Sequence, residues 1–182
     1  MKLSSNFSLN RFGLNIRLVN EDDADFIVEL RSDPKLGAFL NPTQNDVERQ
    51  KQWIKEYKKR EEQGLDYYFI YLNNGERIGL NRIYNIKGQT ATSGSWICLP
   101  NLPFEFPLIT VVIIREIFFE ILGLQIDYMD TRKDNRKVIK MHLLQGAKEI
   151  SSNEIDVFHI LTKEAYGVNK EKFMSYINLK ND

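Results

Sequence analysis

The chain has 182 residues, 42% of them apolar, and its 25 basic and 25 acidic side chains cancel in net charge. This size suits one globular domain over residues 1–182, and the balanced charge argues against nucleic acid or an anionic membrane as a partner. A single cysteine and two histidines exclude a disulfide framework and leave few metal ligands. We therefore expect a metal-free cytoplasmic protein.

The N-terminal part of the chain predicts an arm, a strand and two helices. Residues 1–12 are polar and lack the pattern of a secretion signal, so they are expected to form the arm. Alternating apolar residues predict a strand over 14–18, and Asn20 with Asp23 then caps a helix. A second, mostly polar helix is predicted from about Thr43 to Gln63 and lies outside the core.

The middle of the chain predicts an antiparallel meander and a long core helix. Strands are expected over 67–72, 77–86 and 90–99, because glycine-containing turns separate three apolar runs. The apolar stretch 104–124 is long enough to raise the question of a membrane span. Four charged residues would be costly at bilayer depth, so a buried helix is expected instead. These residues are Glu105, Arg115, Glu116 and Glu120.

The C-terminal part predicts a strand over 126–131, a short helix that stops at Gly146, strands over 147–150 and 155–162, and a helical tail over 163–182. One face of the short helix carries apolar residues together with two polar ones. Its members are Asn135, Val138, Ile139, His142 and Gly146. The asparagine and the histidine need polar partners or a task on such a face.

This element order is a mixed α/β sandwich, and four local motifs match a known family in order and spacing. They are Ile16-Arg17-Leu18 with Glu21-Asp22-Asp23-Ala24, Gly75 to Gly79, Ser93 to Ile97, and Phe119 to Leu124 followed by Asn135 and Gly146. From Leu14 to about Thr162 the chain resembles the GNAT acyltransferase superfamily, in its ribosomal-protein and amino-sugar branches. The resemblance implies a three-layer sandwich with helices on both faces of a mixed, mostly antiparallel sheet of about seven strands, whose central parallel pair splays apart.

The resemblance also implies acetyl-CoA as the acyl donor. The splayed strands would be Ser95–Leu99 and Ile126–Thr131, with the thioester between them. Backbone groups of the first strand would bind the pantetheine arm, and Asn135 either contacts that arm or caps its helix. The strand residues concerned are Trp96, Ile97, Cys98 and Leu99. Cys98 itself is expected to pack in the core rather than act as a nucleophile.

The expected phosphate loop departs from the family pattern. The family uses an arginine or glutamine and two glycines there, where this chain has Leu102, Pro103 and Glu105. Proline has no amide hydrogen and the glutamate repels phosphate, although a carboxylate also favours a helix N-terminus. Amides of Phe104, Phe106 and Leu108 are the expected substitutes. If they do not serve, a binding module with impaired acetyl-CoA binding remains the alternative function.

The catalytic candidates follow from the same resemblance. His142 occupies the position at which many family members have a tyrosine, and would protonate the leaving sulfur, relay a proton, or simply form a hydrogen bond in the core. No glutamate lies on the strand that usually carries the general base. The candidates are Glu76, Asp127 and Asp130, of which Asp130, near the end of the strand over 126–131, is the best placed, with a solvated loop carboxylate as the alternative.

The acceptor is expected to be the primary amine of a small molecule that enters from the face opposite the cofactor. Arg82 would pair with a phosphate or carboxylate, and Tyr84 would stack on a sugar or base. The Ser93 and Ser95 hydroxyls would order a water molecule that carries a proton out, although all four residues also suit ordinary strand positions. The amino-sugar branch suggests a nucleotide-linked amino sugar, and the ribosomal-protein branch suggests a protein N-terminus. A homodimer stays open, because the sequence carries no signal for the oligomeric state.

Overall fold

The computed structural model describes residues 2–177 and 179, which form one eight-stranded sheet and five α-helices. The sheet order is β1-β2-β3-β4-β5-β6-β8-β7. The strands are β1 (Ser8–Arg11), β2 (Leu14–Leu18), β3 (Tyr67–Asn73), β4 (Glu76–Lys87), β5 (Thr90–Cys98), β6 (Ile126–Arg132), β7 (Lys148–Ser152) and β8 (Asp156–Thr162). The helices are α1 (Ala24–Ser32), α2 (Val47–Glu62), α3 (Glu105–Glu116), α4 (Arg136–Leu144) and α5 (Lys163–Tyr176).

The predicted mixed α/β class and the order of the elements are confirmed, with three differences in detail. Part of the expected arm forms β1, which pairs antiparallel with β2 and brings the sheet to eight strands rather than about seven. Helix α2 begins at Val47 and not at Thr43, because Asp46 caps it by accepting a hydrogen bond from the Arg49 amide at 3.0 Å. The long helix changes to π-helical geometry over Ile117–Ile121.

Helices cover both faces of the sheet, as predicted. Along β3, Phe69 and Tyr71 belong to the apolar cluster that includes α3, whereas Tyr68 and Ile70 belong to the cluster of α1 and α2. Alternate residues of a strand point to opposite faces, so α1 and α2 lie on one side and α3 on the other. No described helix is long and apolar enough to cross a membrane.

The central strands β5 and β6 form the predicted splayed pair. They are the parallel neighbours in the sheet, and their pairing covers only Thr90 with Ile126 and Ala91 with Asp127. Every other neighbouring pair of strands is antiparallel. Beyond Ala91 the edges of β5 and β6 face a gap, and the candidate site lies in it.

Candidate active site

The gap between β5 and β6 opens at a buried carboxylate. The Ser93 amide donates a hydrogen bond to Asp127 Oδ1 at 2.7 Å, and the Ser93 hydroxyl donates to Oδ2 at 2.6 Å. In a continuous parallel ladder that amide would donate to a backbone carbonyl of the neighbouring strand. The Asp127 side chain takes the place of the carbonyl, and the two strands separate from this point.

A buried arginine holds that carboxylate. Arg115, on α3, forms an ion pair with Asp127 and donates to Ser93 Oγ at 2.7 Å and to Gln145 Oε1 at 2.9 Å. Burial raises the pKa of Asp127, and the guanidinium and Ser93 oppose this rise. The Ser93 hydroxyl donates to the carboxylate and accepts from the guanidinium, so its proton is not free for a substrate or a water molecule. In the sequence, the only signal for this pair was a charged residue inside an apolar helix.

A cavity of about 130 Å³ lies in the gap and brings five of the predicted site residues together. The predicted residues that line it are Ser93, Trp96, Asp130, Asn135 and His142. Ser95, an alternative to Ser93 in the sequence, also lines it, as do Asn81 and Arg115, which sequence reasoning missed. Their positions depend on strand pairing and on contacts between distant elements.

His142 faces the cavity from α4 and is only 8% exposed. Its Nδ1 lies 3.5 Å from Thr131 Oγ1, and its ring centre lies 5.7 Å from that of His159. Burial lowers the pKa of His142 well below its usual value, and the positive charge of Arg115 lowers it further. The imidazole is therefore neutral at pH 7.

Asp130 approaches the same cavity from the opposite face of β6. Asp127 and Thr131 are buried and share a face with His142, and the strand alternation turns the exposed Asp130 to the other face. Burial raises the pKa of Tyr84 to about 12, with Asp130 as the next largest cause. Asp130 thus lies near Tyr84, on the face that carries α1 and α2.

The free edge of β5 offers Cys98 to the gap rather than Leu99. The Leu99 amide donates to the Ile78 carbonyl at 2.9 Å, so it belongs to the ladder with β4 and is not available to a cofactor. Ile97 pairs with Leu80 in the same register, and the alternation of an antiparallel ladder then turns the Cys98 amide towards β6. The Trp96 indole, by contrast, donates to Thr110 Oγ1 at 2.9 Å.

The Cys98 thiol is unsuited to nucleophilic attack. Burial raises its pKa to about 12, so almost no thiolate exists at neutral pH. A Cβ atom at Gly79 would lie 2.8 Å from the Cys98 sulfur, so the thiol is packed against the neighbouring strand. The expected role of this cysteine in core packing agrees with both observations.

The loop before α3 provides fewer amides than expected. The Phe106 amide donates to the Pro103 carbonyl at 3.0 Å, and Pro107 has no amide hydrogen. The prediction that the Phe106 amide is free for phosphate is therefore wrong. Leu108 is the fourth residue of α3, so its amide belongs to the hydrogen bonding of the helix. The Phe104 backbone is therefore the candidate left from that prediction, and its side chain is 64% exposed and caps nothing.

Asn135 stands at the N-terminus of α4 but does not cap it with its side chain. The capping alternative is therefore wrong, and the side chain borders the cavity instead. Gly146 ends the helix with a φ of 94°, a conformation that favours glycine. Among the described residues, no cluster of three or more histidine, cysteine or acidic side chains is arranged to hold a metal ion.

A second cavity of about 480 Å³ lies on the side of α1 and α2. Ser95 lines both cavities and therefore connects them. It has a φ of 52° and lies in a β-bulge, where Ser95 and Trp96 stand opposite Asn81 of β4. A left-handed serine at such a bulge is a strained conformation of the kind found at functional sites.

Arg82 and Tyr84 line this second cavity and contact each other. Arg82 forms a two-pronged ion pair with the buried Asp66, with Nε 2.7 Å from Oδ1, so its charge already has a partner. The guanidinium also lies 4.8 Å from the centre of the Tyr84 ring. A Cβ at Gly94 would come within 3.1 Å of the Tyr84 hydroxyl, so the glycine lets this ring lie against β5.

Known proteins give a consistent comparison. A family model described as Acetyltransferase (GNAT) domain matches residues 13–148. The solved structure of apo FdhC, a nucleotide-linked sugar GNAT, is 31% identical, covers 94% of this chain and 99% of its own, and has a TM-score of 0.82. No curated protein matches the sequence.

Two more distant structures share the fold. Ribosomal-protein-S5-alanine acetyltransferase from Vibrio fischeri is 14% identical, covers 88% of this chain and 99% of its own, and has a TM-score of 0.73. Spermidine N-acetyltransferase from Vibrio cholerae, in complex with CoA and spermine, is 18% identical, covers 86% and 99%, and has a TM-score of 0.70. Identities this low show only that the fold is shared.

Proposed function

Because this chain belongs to the GNAT acetyltransferase family, we propose that it transfers an acetyl group from acetyl-CoA to the primary amine of a nucleotide-linked amino sugar. The observation that carries the proposal is that Asp130 and His142 face one cavity from opposite faces of β6, while Ser95 joins this cavity to a larger one. The 31% identity to a nucleotide-linked sugar GNAT supports the substrate class.

The free edge of β5 fits a thioester. Acetyl-CoA would supply an activated acyl group, and the pantetheine arm can pair with the strand edge that β6 leaves open. The Cys98 amide, turned towards the gap, donates to the carbonyl oxygen and stabilises the negative charge that develops there. Holding amine and thioester in one orientation lowers the barrier further.

Asp130 is the proposed base. It lies on the side of the second cavity, from which the amine arrives, and its carboxylate accepts the proton that the amine loses on attack. Ser95 stands where the two cavities meet, so the amine passes this bulge to reach the carbonyl carbon.

His142 is proposed to donate a hydrogen bond to the leaving sulfur. A neutral imidazole that gave up its proton would become a much stronger base than the thiolate, whose pKa is about 8.5. Full proton transfer from His142 is therefore unfavourable, whereas an N–H hydrogen bond to the sulfur costs no ionisation. Its low pKa keeps the imidazole in this neutral form.

The test measures thiol release from acetyl-CoA with nucleotide-linked amino sugars, polyamines and peptides as acceptors. We expect release with the amino sugars, and a fall of about 10²- to 10⁴-fold in Asp130→Asn. Asp134→Asn is the matched control, because this neighbouring carboxylate is exposed and does not line the cavity.

Two results would contradict the proposal in different ways. Release with peptides alone would move the substrate to protein N-termini. Calorimetry without detectable binding of acetyl-CoA at about 1 mM would end the enzyme hypothesis and leave a binding module.

A further inference from the structure

The cavity beside α1 and α2 contains two arginines whose charges are not neutralised. Arg31 donates from Nε to Thr43 Oγ1 at 2.7 Å and from a terminal nitrogen to the Asn41 carbonyl at 3.2 Å. Arg49 donates to the side-chain oxygen of Gln44. These partners are neutral, and within residues 2–177 and 179 neither arginine takes part in an ion pair.

The other charges of the cavity do not compensate them. Arg82 forms an ion pair with Asp66, which does not line the cavity. Asp46 is the one carboxylate among the described residues that line the cavity. Its Oδ1 accepts a hydrogen bond from the backbone amide of Arg49 at 3.0 Å. The cavity therefore keeps an excess of positive charge in a space of about 480 Å³, within the usual range for small-molecule sites.

A buried hydroxyl also lacks an acceptor there. Tyr68 lines the cavity and is 2% exposed, and its hydroxyl donates to no acceptor among the described residues. The Arg31 guanidinium interacts with the Tyr68 oxygen through its charge and as a hydrogen-bond donor, so the two donors are neighbours. A buried hydroxyl that lines a cavity and has no acceptor in the protein can donate to a ligand bound there.

We infer that Arg31, Arg49 and the Tyr68 hydroxyl bind the diphosphate of a nucleotide-linked acceptor. Guanidinium groups match the paired oxygens of a phosphate with two parallel hydrogen bonds, and a diphosphate offers such pairs to two arginines at once. This inference rests on the proposed function, because the bound nucleotide would then direct its sugar amine past Ser95 towards Asp130. A polyamine is disfavoured by the positive charge of the same cavity.

The experiment measures binding of UDP, dTDP and uridine to the whole protein by calorimetry, without acetyl-CoA. Both diphosphates are expected to bind and uridine is not. Charge-assisted hydrogen bonds of this kind predict that Arg49→Gln weakens diphosphate binding about tenfold, and Arg31→Gln at least as much. Tyr68→Phe removes only the hydroxyl and is expected to weaken binding about two- to tenfold.

Lys55→Gln is the matched control, since it removes a positive charge from α2 outside the cavity, and its affinity is expected to stay within twofold of the parent. Arg31 also anchors the segment that contains Asn41 and Thr43, so its variant is accompanied by a thermal unfolding curve. If the Arg31→Gln variant does not fold, diphosphate binding by the Arg49→Gln and Tyr68→Phe variants still tests the inference, since Arg49 is exposed and Tyr68→Phe removes only a hydroxyl.

Three results would overturn the inference: no diphosphate binding at about 1 mM, equal loss in Lys55→Gln and Arg49→Gln, or binding of an acidic peptide in place of UDP. Binding of acetyl-CoA is recorded separately for every variant. If it is kept and diphosphate binding is absent, the subsite is refuted while the acetyltransferase proposal stands. If acetyl-CoA does not bind but UDP does, the proposed function fails on its own.

Discussion

Asp127→Asn is expected to destabilise the protein strongly and to close the gap between β5 and β6. The Asp127 side chain is fully buried and that of Arg115 is 3% exposed. The substitution removes the negative charge and leaves the guanidinium buried without a counter-ion. It also puts an amide group with two donors next to the Ser93 amide, which needs an acceptor.

The size of the effect follows from these contacts. Breaking a buried ion pair by removing one partner costs about 3–5 kcal/mol, a large part of the roughly 5–15 kcal/mol that holds a domain together. For a chain of this size each kcal/mol lowers the melting temperature by about 2–4 °C. We therefore expect a decrease of about 6–20 °C in Asp127→Asn.

The assay is urea and thermal unfolding of Asp127→Asn, Arg115→Met and the double variant, with Asp134→Asn as an exposed control. The two single changes break the same pair, so the double variant is expected to cost at least about 1 kcal/mol less than their sum. Strictly additive effects, or a single-variant cost below about 1 kcal/mol, would refute the idea that this pair supports the gap.

Three further predictions follow from the described contacts. Burial lowers the pKa of both His142 and His159, so below pH 6.5 the unfolded chain binds protons that the folded protein does not. The free energy of unfolding therefore falls as the pH falls, by up to about 1.4 kcal/mol per pH unit for each ring. Melting curves between pH 7.5 and 5.5 should depend less on pH in the His142→Gln, His159→Gln double variant, and an unchanged slope would contradict this. Glu105→Gln removes an acidic group from the first turn of α3 and is expected to tighten acetyl-CoA binding about two- to fivefold by calorimetry, with weaker binding as the contrary result. Gly146→Ala is expected to cost about 1–3 kcal/mol in urea unfolding, because a Cβ there would lie 2.9 Å from the Ala165 carbonyl oxygen; a cost near zero would show that α5 shifts freely.

Local patterns were enough to predict the elements around the site. The apolar alternation of β6 and the spacing from Asn135 to Gly146 on α4 depend on neighbours a few residues away, so they can be read directly from the chain. The resemblance then identified which two strands separate. His142 and Asp130 both border the gap, although whether they act in catalysis stays a prediction.

Features that depend on pairing between distant segments could not be predicted. Ile97 and Cys98 were both candidates from the sequence. The Leu99 amide donates to the Ile78 carbonyl and Ile97 pairs with Leu80, so the Cys98 amide, and not that of Ile97 or Leu99, faces the gap. That Arg31 and Arg49 lack an acidic partner among the described residues is visible only in the folded chain, where the ion pairs of the other charged residues are known. Sequence spacing carries none of this information.

The Asp127 carboxylate between β5 and β6 has a consequence for ligand binding. Because it separates the strands in the protein alone, an incoming thioester does not have to break a backbone ladder before it can pair with the strand edge. The slot is preorganised, and the free energy needed to keep it open is supplied during folding rather than on binding. An acyl donor can then gain affinity from pairing with the strand even where the loop before α3 offers few contacts to its phosphates.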